Sequence, residues 1–217
     1  MVTFFLQAVT ESCLQLMEKL SKYEFIKDFY LAGGTALALQ IGHRISTDLD
    51  WFSSSNELLE QERQSLFLNL KKHLDIQLIS EQNGMLILRL DDTDVSFIYQ
   101  HHLLLETTIE YLGLRIASPV DIGLMKLAAI NSRGTRRDFI DIYCLREFVS
   151  LEQLMELVSK KYPDRPMFLA VLLKALVYFD DAEQQPMPRM LRSVDWSDVR
   201  AYCQDSARRL TRQLSGL

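Results

Sequence analysis

Asp48 and Asp50 stand two apart, beginning 13 residues after the triplet Gly33-Gly34-Thr35. On an extended strand that spacing turns both carboxylates to one face, a few ångströms apart, with Leu49 and Trp51 on the other. Like charges so close repel unless a cation lies between them. Mg2+ suits such a pair, because it takes a couple of carboxylates and fills its other positions with phosphate oxygens and water. The glycines supply the complementary part. Lacking Cβ atoms, they let the backbone approach phosphate oxygens, and the N–H groups that open a following helix point at negative charge. Thr35 adds a hydroxyl donor. Transfer chemistry on a nucleoside triphosphate needs this combination of a phosphate cradle and metal-holding acids. Taken singly, a Gly-Gly pair is ordinarily a turn and an Asp-x-Asp a solvated strand edge; their joint order carries the reading.

Positioning these residues requires a strand, a glycine turn, a helix and a second strand, and the local patterns supply them. Residues 11–22 place Cys13, Leu14, Met17 and Leu20 at helical spacing. Residues 29–32 (FYLA) read as a short buried strand that Gly33-Gly34 ends, and TALALQIG as a helix with Thr35 near its N-terminus. TDLDWFS alternates as a half-buried strand. A helix is expected over 57–74, then strands from Ile76, Met85 and Val95, with Asp91-Asp92-Thr93-Asp94 as the turn between the last two, and a further strand from Leu114. Pro119 suits the first turn of a helix reaching about Asn131. Helices are expected at about 137–148, 151–160, 166–179 and 198–214, with QQPMP at 184–188 as a linker. The first half is thus α/β in pattern and the second all-helical.

The wording of two segments goes further. YLAGGTALALQIGHRISTDLDWFS and IASPVDIGLMKLAAINSRGTRRDFIDIYCL together resemble the signature of the AbiEii/AbiGii toxin-like nucleotidyltransferases, within the DNA polymerase beta-type superfamily. In that family a GG-S/T turn, His-Arg-x-Ser and Asp-Leu-Asp are followed by a helical Lys and an Arg-Gly-x-Lys/Arg-Arg-Asp block with a second Asp three residues on. The resemblance spans about residues 28–146. It implies an α+β nucleotidyltransferase fold, a small mixed sheet flanked by helices, over residues 1–118, and a helical C-terminal domain over 119–217. It also implies a toxin-like enzyme that moves a nucleotidyl group from a nucleoside triphosphate to an RNA, such as tRNA, or to a protein hydroxyl. The alternative is a catalytically weak nucleotide-binding or protein-interaction module of the same fold. Mg2+, as one ion or two, is the implied cofactor, and an RNA acceptor and a cognate antitoxin are the implied partners.

Carried over residue by residue, Gly33, Gly34 and Thr35 hold the triphosphate, Asp48 and Asp50 hold Mg2+, and Lys126 contacts the phosphates or the base. His43, Arg44 and Ser46 fall in the His-Arg-x-Ser motif; Arg44 either approaches a phosphate or buttresses the carboxylates, and His43 either belongs to the site or ends the helix. Lys126 and Arg133 are seven apart, one helix face if the helix runs that far, and Arg137 and Asp141 are four apart and able to pair. Arg133 would join Lys126 in contacting the nucleotide, while Arg136, Arg137, Asp138 and Asp141 either serve the nucleotide or lace two helices together. Polymerase-type relatives complete the metal site with a third carboxylate on a later strand. Here Ser96 occupies the corresponding place, and a serine cannot do a carboxylate's work at neutral pH. Asp94 either substitutes for it or is a turn residue.

Composition bounds the rest. With 217 residues, 48% hydrophobic and 24% charged, the chain can bury a sizeable core. A net charge of -5 argues against tight sequence-blind nucleic-acid binding, which needs an excess of Lys and Arg. Cys13, Cys144 and Cys203 show no C-x-x-C spacing, so neither a disulfide framework nor a zinc site is expected. Val2 to Val9 is too short to cross a bilayer, and the cytoplasm is the expected compartment. His101-His102 lacks further ligands at zinc spacing. Arg189, Arg192, Arg208, Arg209 and Arg212 give the tail a basic bias.

Overall fold

The computed structural model describes residues 3–215. The chain divides into two compact units, Met1–Ser118 and Pro119–Leu217.

The first unit is built on a mixed sheet, seven-stranded among the described residues: β1 (Tyr30–Ala32), β2 (Leu49–Ser53), β3 (Ile76–Gln82), β4 (Met85–Leu90), β5 (Thr93–Tyr99), β6 (Ile109–Tyr111) and β7 (Leu114–Ile116). Its spatial order is β3-β4-β5-β2-β1-β7-β6, with β2 parallel to β5, β1 parallel to β7 and the other neighbours antiparallel. The strand that carries Asp50, with Asp48 immediately before it, therefore lies at the centre. Helices α1 (Glu11–Leu20), α2 (Gly33–Ile41) and α3 (Glu60–Leu70) complete the unit. Alternation in β2 buries Leu49, Trp51 and Ser53 and leaves Asp50 and Phe52 half-exposed. On the buried side Phe97 meets Phe29 and Phe25 edge-on, with ring centroids 5.2 and 6.1 Å away. Each fully buried aromatic or aliphatic side chain of this kind contributes roughly 1.5–3 kcal/mol.

The second unit is helical: α4 (Pro119–Ser132), α5 (Arg136–Leu145), α6 (Leu151–Lys161), α7 (Phe168–Ala175), the short α8 (Asp180–Glu183) and α9 (Trp196–Ser215). Phe139, Phe179 and Trp196 form a ring cluster with centroids 5.0 to 6.0 Å apart. Thr135 caps α5 by accepting from the Asp138 backbone N–H, and Ser150 caps α6 in a reciprocal box with Gln153.

Two details differ from the sequence expectation. The turn between β4 and β5 uses only Asp91 and Asp92, so Thr93 and Asp94 belong to β5. Asp91 absorbs the reversal with φ +49° and is held by Lys19 at 2.7 Å. β6 and α8 carry too little periodicity in three or four residues to be read in advance. Helix α4 ends at Ser132, beside the expected Asn131, so Arg133 stands just beyond it. Among the described residues no helix is long and apolar enough to cross a membrane.

Candidate nucleotide and metal site

The two glycines make room for different neighbours, and each neighbour is a charged side chain. Gly33 opens α2 with φ +68°, a left-handed conformation that costs an L-residue about 1–2 kcal/mol, and a Cβ there would collide with the Asp50 carboxylate oxygen Oδ2. A Cβ on Gly34 would collide with Arg44 Nη2 and lie 3.2 Å from Ser46 Oγ. The bare backbone thus brings the first turn of α2 against an acid on one side and a buried guanidinium on the other. Pairing of Ala32 with Asp50 across β1 and β2 fixes the first of these approaches.

Arg44 is buried, and its Nη1 donates to the Ile45 carbonyl at 3.3 Å and to Ser46 Oγ at 3.4 Å. Ser46 is itself anchored by its N–H to the Ala8 carbonyl at 2.9 Å. Of the alternatives open for Arg44, the geometry puts its guanidinium at the N-terminal turn of α2, where positive charge adds to that of the helix end. His43 is fully buried and follows Gly42, whose φ of +61° caps α2. Thr35 donates its hydroxyl to the Asp48 carbonyl oxygen, which ties the helix to the residue preceding β2. The Asp48 carboxylate accepts from Thr47 Oγ1 at 3.0 Å. Gly33, Gly34, Thr35, Arg44, Ser46, Asp48 and Asp50 are therefore gathered around the start of α2 and β2. Their carboxylates are hard oxygen donors of the kind a divalent ion such as Mg2+ takes.

The parallel register of β2 and β5 places Ser96 beside Asp50. Asp94, two residues earlier on β5, lies across from Arg89 of β4, and its Oδ1 meets Arg89 Nη2 at 2.7 Å and Nε at 2.8 Å. Between the two readings of this strand, the register gives Ser96 the position next to Asp50.

The second unit holds a separate charged cluster. Lys126 Nζ lies 2.9 Å from Asp138 Oδ1 and 2.6 Å from Asp141 Oδ2, with both carboxylates fully buried and Lys126 only 7% exposed. Arg133, 63% exposed, reaches Asp138 Oδ2 with Nε at 3.1 Å, and Thr135 Oγ1 donates to the same oxygen at 2.6 Å. Burial pushes the Asp138 carboxyl up, but Lys126, Arg133 and Thr135 together outweigh it and hold the group below the ordinary carboxylate range. Arg136 is committed to helix packing: its guanidinium donates to the Ala182 and Glu183 carbonyls and lies 4.8 Å from the Trp196 ring. Arg137 is exposed on the first turn of α5.

Two buried polar features escaped the sequence reading. Lys161 and Asp121 form a fully buried ion pair at 2.8 Å between α6 and α4. Lys161 ends a helix, where a lysine ordinarily complements the dipole from solvent, so nothing in the sequence marked it as buried. Gln40 donates to the Ala36 and Ala117 carbonyls at 2.8 and 3.0 Å, pinning α2 to the residue after β7. The His101 and His102 rings lie 3.8 Å apart, with His102 Nδ1 3.0 Å from Gln100 Oε1. Cys13, Cys144 and Cys203 are free and buried, and burial pushes the Cys203 thiol up to about 12.

Comparison with known proteins agrees with this architecture. An uncharacterized protein of Aquifex aeolicus (strain VF5) is 35% identical over 175 residues, 79% of this chain and 83% of that one. MenT4, a nucleotidyltransferase toxin of Mycobacterium tuberculosis, superposes with a TM-score of 0.61 at 15% identity, over 92% of this chain and 83% of its own. ANT(2")-Ia in complex with adenylyl-2"-tobramycin gives a TM-score of 0.51 at 10% identity, over 71% of this chain and 99% of its own. At such identities these two likenesses are of fold. The family model for the nucleotidyl transferase AbiEii toxin of type IV toxin–antitoxin systems matches residues 15–209, and the chain belongs to that family of nucleotidyltransferases.

Proposed function

We propose that the first unit binds a nucleoside triphosphate with Mg2+ at the start of α2 and β2, and that the protein transfers the nucleotidyl group to a hydroxyl of an RNA, tRNA among the candidates. The observation that carries the proposal is the bare Gly33 backbone held against the Asp50 carboxylate. A metal-bound phosphate chain needs such an approach of acid, backbone and helix N-terminus, and any side chain on Gly33 would fill it. In this reading Asp48 and Asp50 hold the ion, which would neutralise the triphosphate and polarise its α-phosphorus. Gly33 and Gly34 line the phosphates, Thr35 does not lend them its hydroxyl because that proton ties the helix to the Asp48 carbonyl, and Arg44 supplies positive charge. The donor set fits one Mg2+ better than two, because Ser96 offers a neutral oxygen where a second ion would want a carboxylate. Transfer forms a bond from the acceptor oxygen to the α-phosphorus and breaks the bond from that phosphorus to the bridging oxygen of the β-phosphate. Pyrophosphate leaves, and the hydroxyl proton passes to water, since Ser96 cannot take it. Slow turnover follows from that serine, which is the one observation favouring a nucleotide binder over a fast enzyme.

The family's type IV toxin–antitoxin membership supports a cognate antitoxin as partner and the cytoplasm as the place of action. The fold shared with a protein solved with an adenylylated tobramycin supports nucleotidyl transfer to a hydroxyl. The test is incubation of the full chain with each α-labelled nucleoside triphosphate, Mg2+ and total cellular RNA. Label is expected in RNA with wild type and not with Asp50→Asn. No label from any of the four nucleotides would overturn the reading.

A further inference from the structure

One row of residues crosses three strands at the candidate site. Ala32 of β1 pairs with Asp50 of β2, and Asp50 pairs with Ser96 of β5. Residues paired in this way share a face, and neighbouring strands lie about 4.8 Å apart. Asp50 and Ser96 are half-buried, whereas Leu49, Trp51, Val95 and Phe97, which point to the other face, are buried. Gly33 follows Ala32, so the glycine turn stands at one end of the row, the acid in the middle and the serine at the other end. The next position outward, Ile87 of β4, is apolar.

That order is the order of an in-line displacement. The proposed nucleotide site lays the leaving phosphates along Gly33 and Gly34 and the α-phosphorus over Asp50. An attacking oxygen must then come from the side that faces away from the glycines. Ser96 stands on that side. The other hydroxyls around the start of β2 are engaged: Thr35 donates to the Asp48 carbonyl oxygen, Thr47 donates to the Asp48 carboxylate at 3.0 Å, and Ser46 Oγ accepts from Arg44 Nη1 at 3.4 Å. Among the described residues no hydrogen bond ties down the Ser96 hydroxyl.

We propose that Ser96 is a site of self-nucleotidylation, an inference that rests on the triphosphate reading of the same site. Ser96 Oγ forms a bond to the α-phosphorus of the bound nucleoside triphosphate, and the bond from that phosphorus to the bridging oxygen of the β-phosphate breaks. Pyrophosphate leaves, the hydroxyl proton passes to water, and a phosphodiester joins the serine to the nucleoside. A hydroxyl carried by the chain itself needs no separate binding step, which offsets the weakness of an unactivated serine. Asp94 lies two residues earlier on the same face of β5, but Arg89 holds its carboxylate at 2.7 Å, so the step is slow. Once formed, the ester fills the place of an external acceptor, and the protein thereby limits its own transfer activity.

The test incubates the full chain with each nucleoside triphosphate and Mg2+, without RNA, and maps the products by peptide mass spectrometry. A single nucleoside monophosphate is expected on the peptide that carries Ser96, at least tenfold less of it in Asp50→Asn, and none in Ser96→Ala. The purified adduct should bind nucleoside triphosphate at least tenfold more weakly than the unmodified chain in calorimetry. An adduct on another residue, an adduct that persists in Asp50→Asn, or an adducted chain of undiminished affinity would overturn the inference. So would a chain that labels RNA and stays unmodified, an outcome that leaves the triphosphate reading standing. A chain that neither modifies itself nor labels RNA would overturn both.

Discussion

Asp48 with Asp50 and Asp138 with Asp141 are two pairs of aspartates built for opposite ends. The first pair stands at the start of a central strand, half-exposed, against a backbone from which every side-chain atom has been removed. The second is sealed inside a helical unit with its counter-charge supplied by the fold: Lys126 between both carboxylates, Arg133 and Thr135 on Asp138. Spacing alone makes the pairs look alike. What separates them is burial: the second pair is closed inside its unit beside cations of the chain, while the first is half-exposed, which is the property the proposed Mg2+ and phosphate site relies on.

The largest effect that would break this contrast is on Lys126. Lys126→Met leaves two buried carboxylates without their shared ammonium and is expected to cost about 3–5 kcal/mol, read as the shift of the urea midpoint. A shift under 1 kcal/mol would mean that the cluster is not neutralised internally. Gly33→Ala should cost about 1–2 kcal/mol for the positive φ and, in addition, displace the Asp50 carboxylate, lowering label transfer roughly a hundredfold. Gly113→Ala is the control. It meets the same conformational strain at φ +75° with no atom within 4 Å of its Cβ, so it should lose stability and keep activity.

Acid sharpens the comparison next. The Asp138 carboxyl is held below the usual range in the folded protein, so its contribution to stability is fully present above about pH 4 and is lost as pH falls through the lower, folded value. Urea midpoints measured downward from pH 5 should fall more steeply for wild type than for Asp138→Asn; parallel curves would remove Asp138 from the explanation. The smallest change expected is a gain. Ser96→Asp puts a carboxylate beside Asp50 in the β2–β5 register and should raise transfer by roughly tenfold. A fall would mean that the serine is needed where it is.

The order of elements around the glycine turn was legible because strand alternation and glycine punctuation are local signals. That the glycine turn leads into a helix and lies beside an Asp-x-Asp strand was legible from the order and spacing of these residues. That Gly34 makes room for Arg44 was not legible, since the guanidinium comes back to it from ten residues downstream, across helix α2. The acidic run at 91–94 read as one turn; the strand pairing of Asp94 with Arg89 takes it into the sheet, a contact no local pattern encodes. Lys126 read as a contact to the phosphates or base and Asp138 as either a ligand-site or a helix-lacing residue, because sequence separation says nothing about burial; the structure places them in one buried ion pair. For the same reason Lys161 with Asp121 went unnoticed.

The central claim, that the half-exposed acids and the glycine turn grip a metal-bound triphosphate, is tested most directly by calorimetric titration of the full chain with nucleoside triphosphate, with and without Mg2+. Wild type should bind at least tenfold more tightly when the ion is present, and the double variant Asp48→Asn, Asp50→Asn should lose that difference while melting at the same temperature. Equal affinity with and without Mg2+, or an ion dependence that survives the double substitution, would contradict the account.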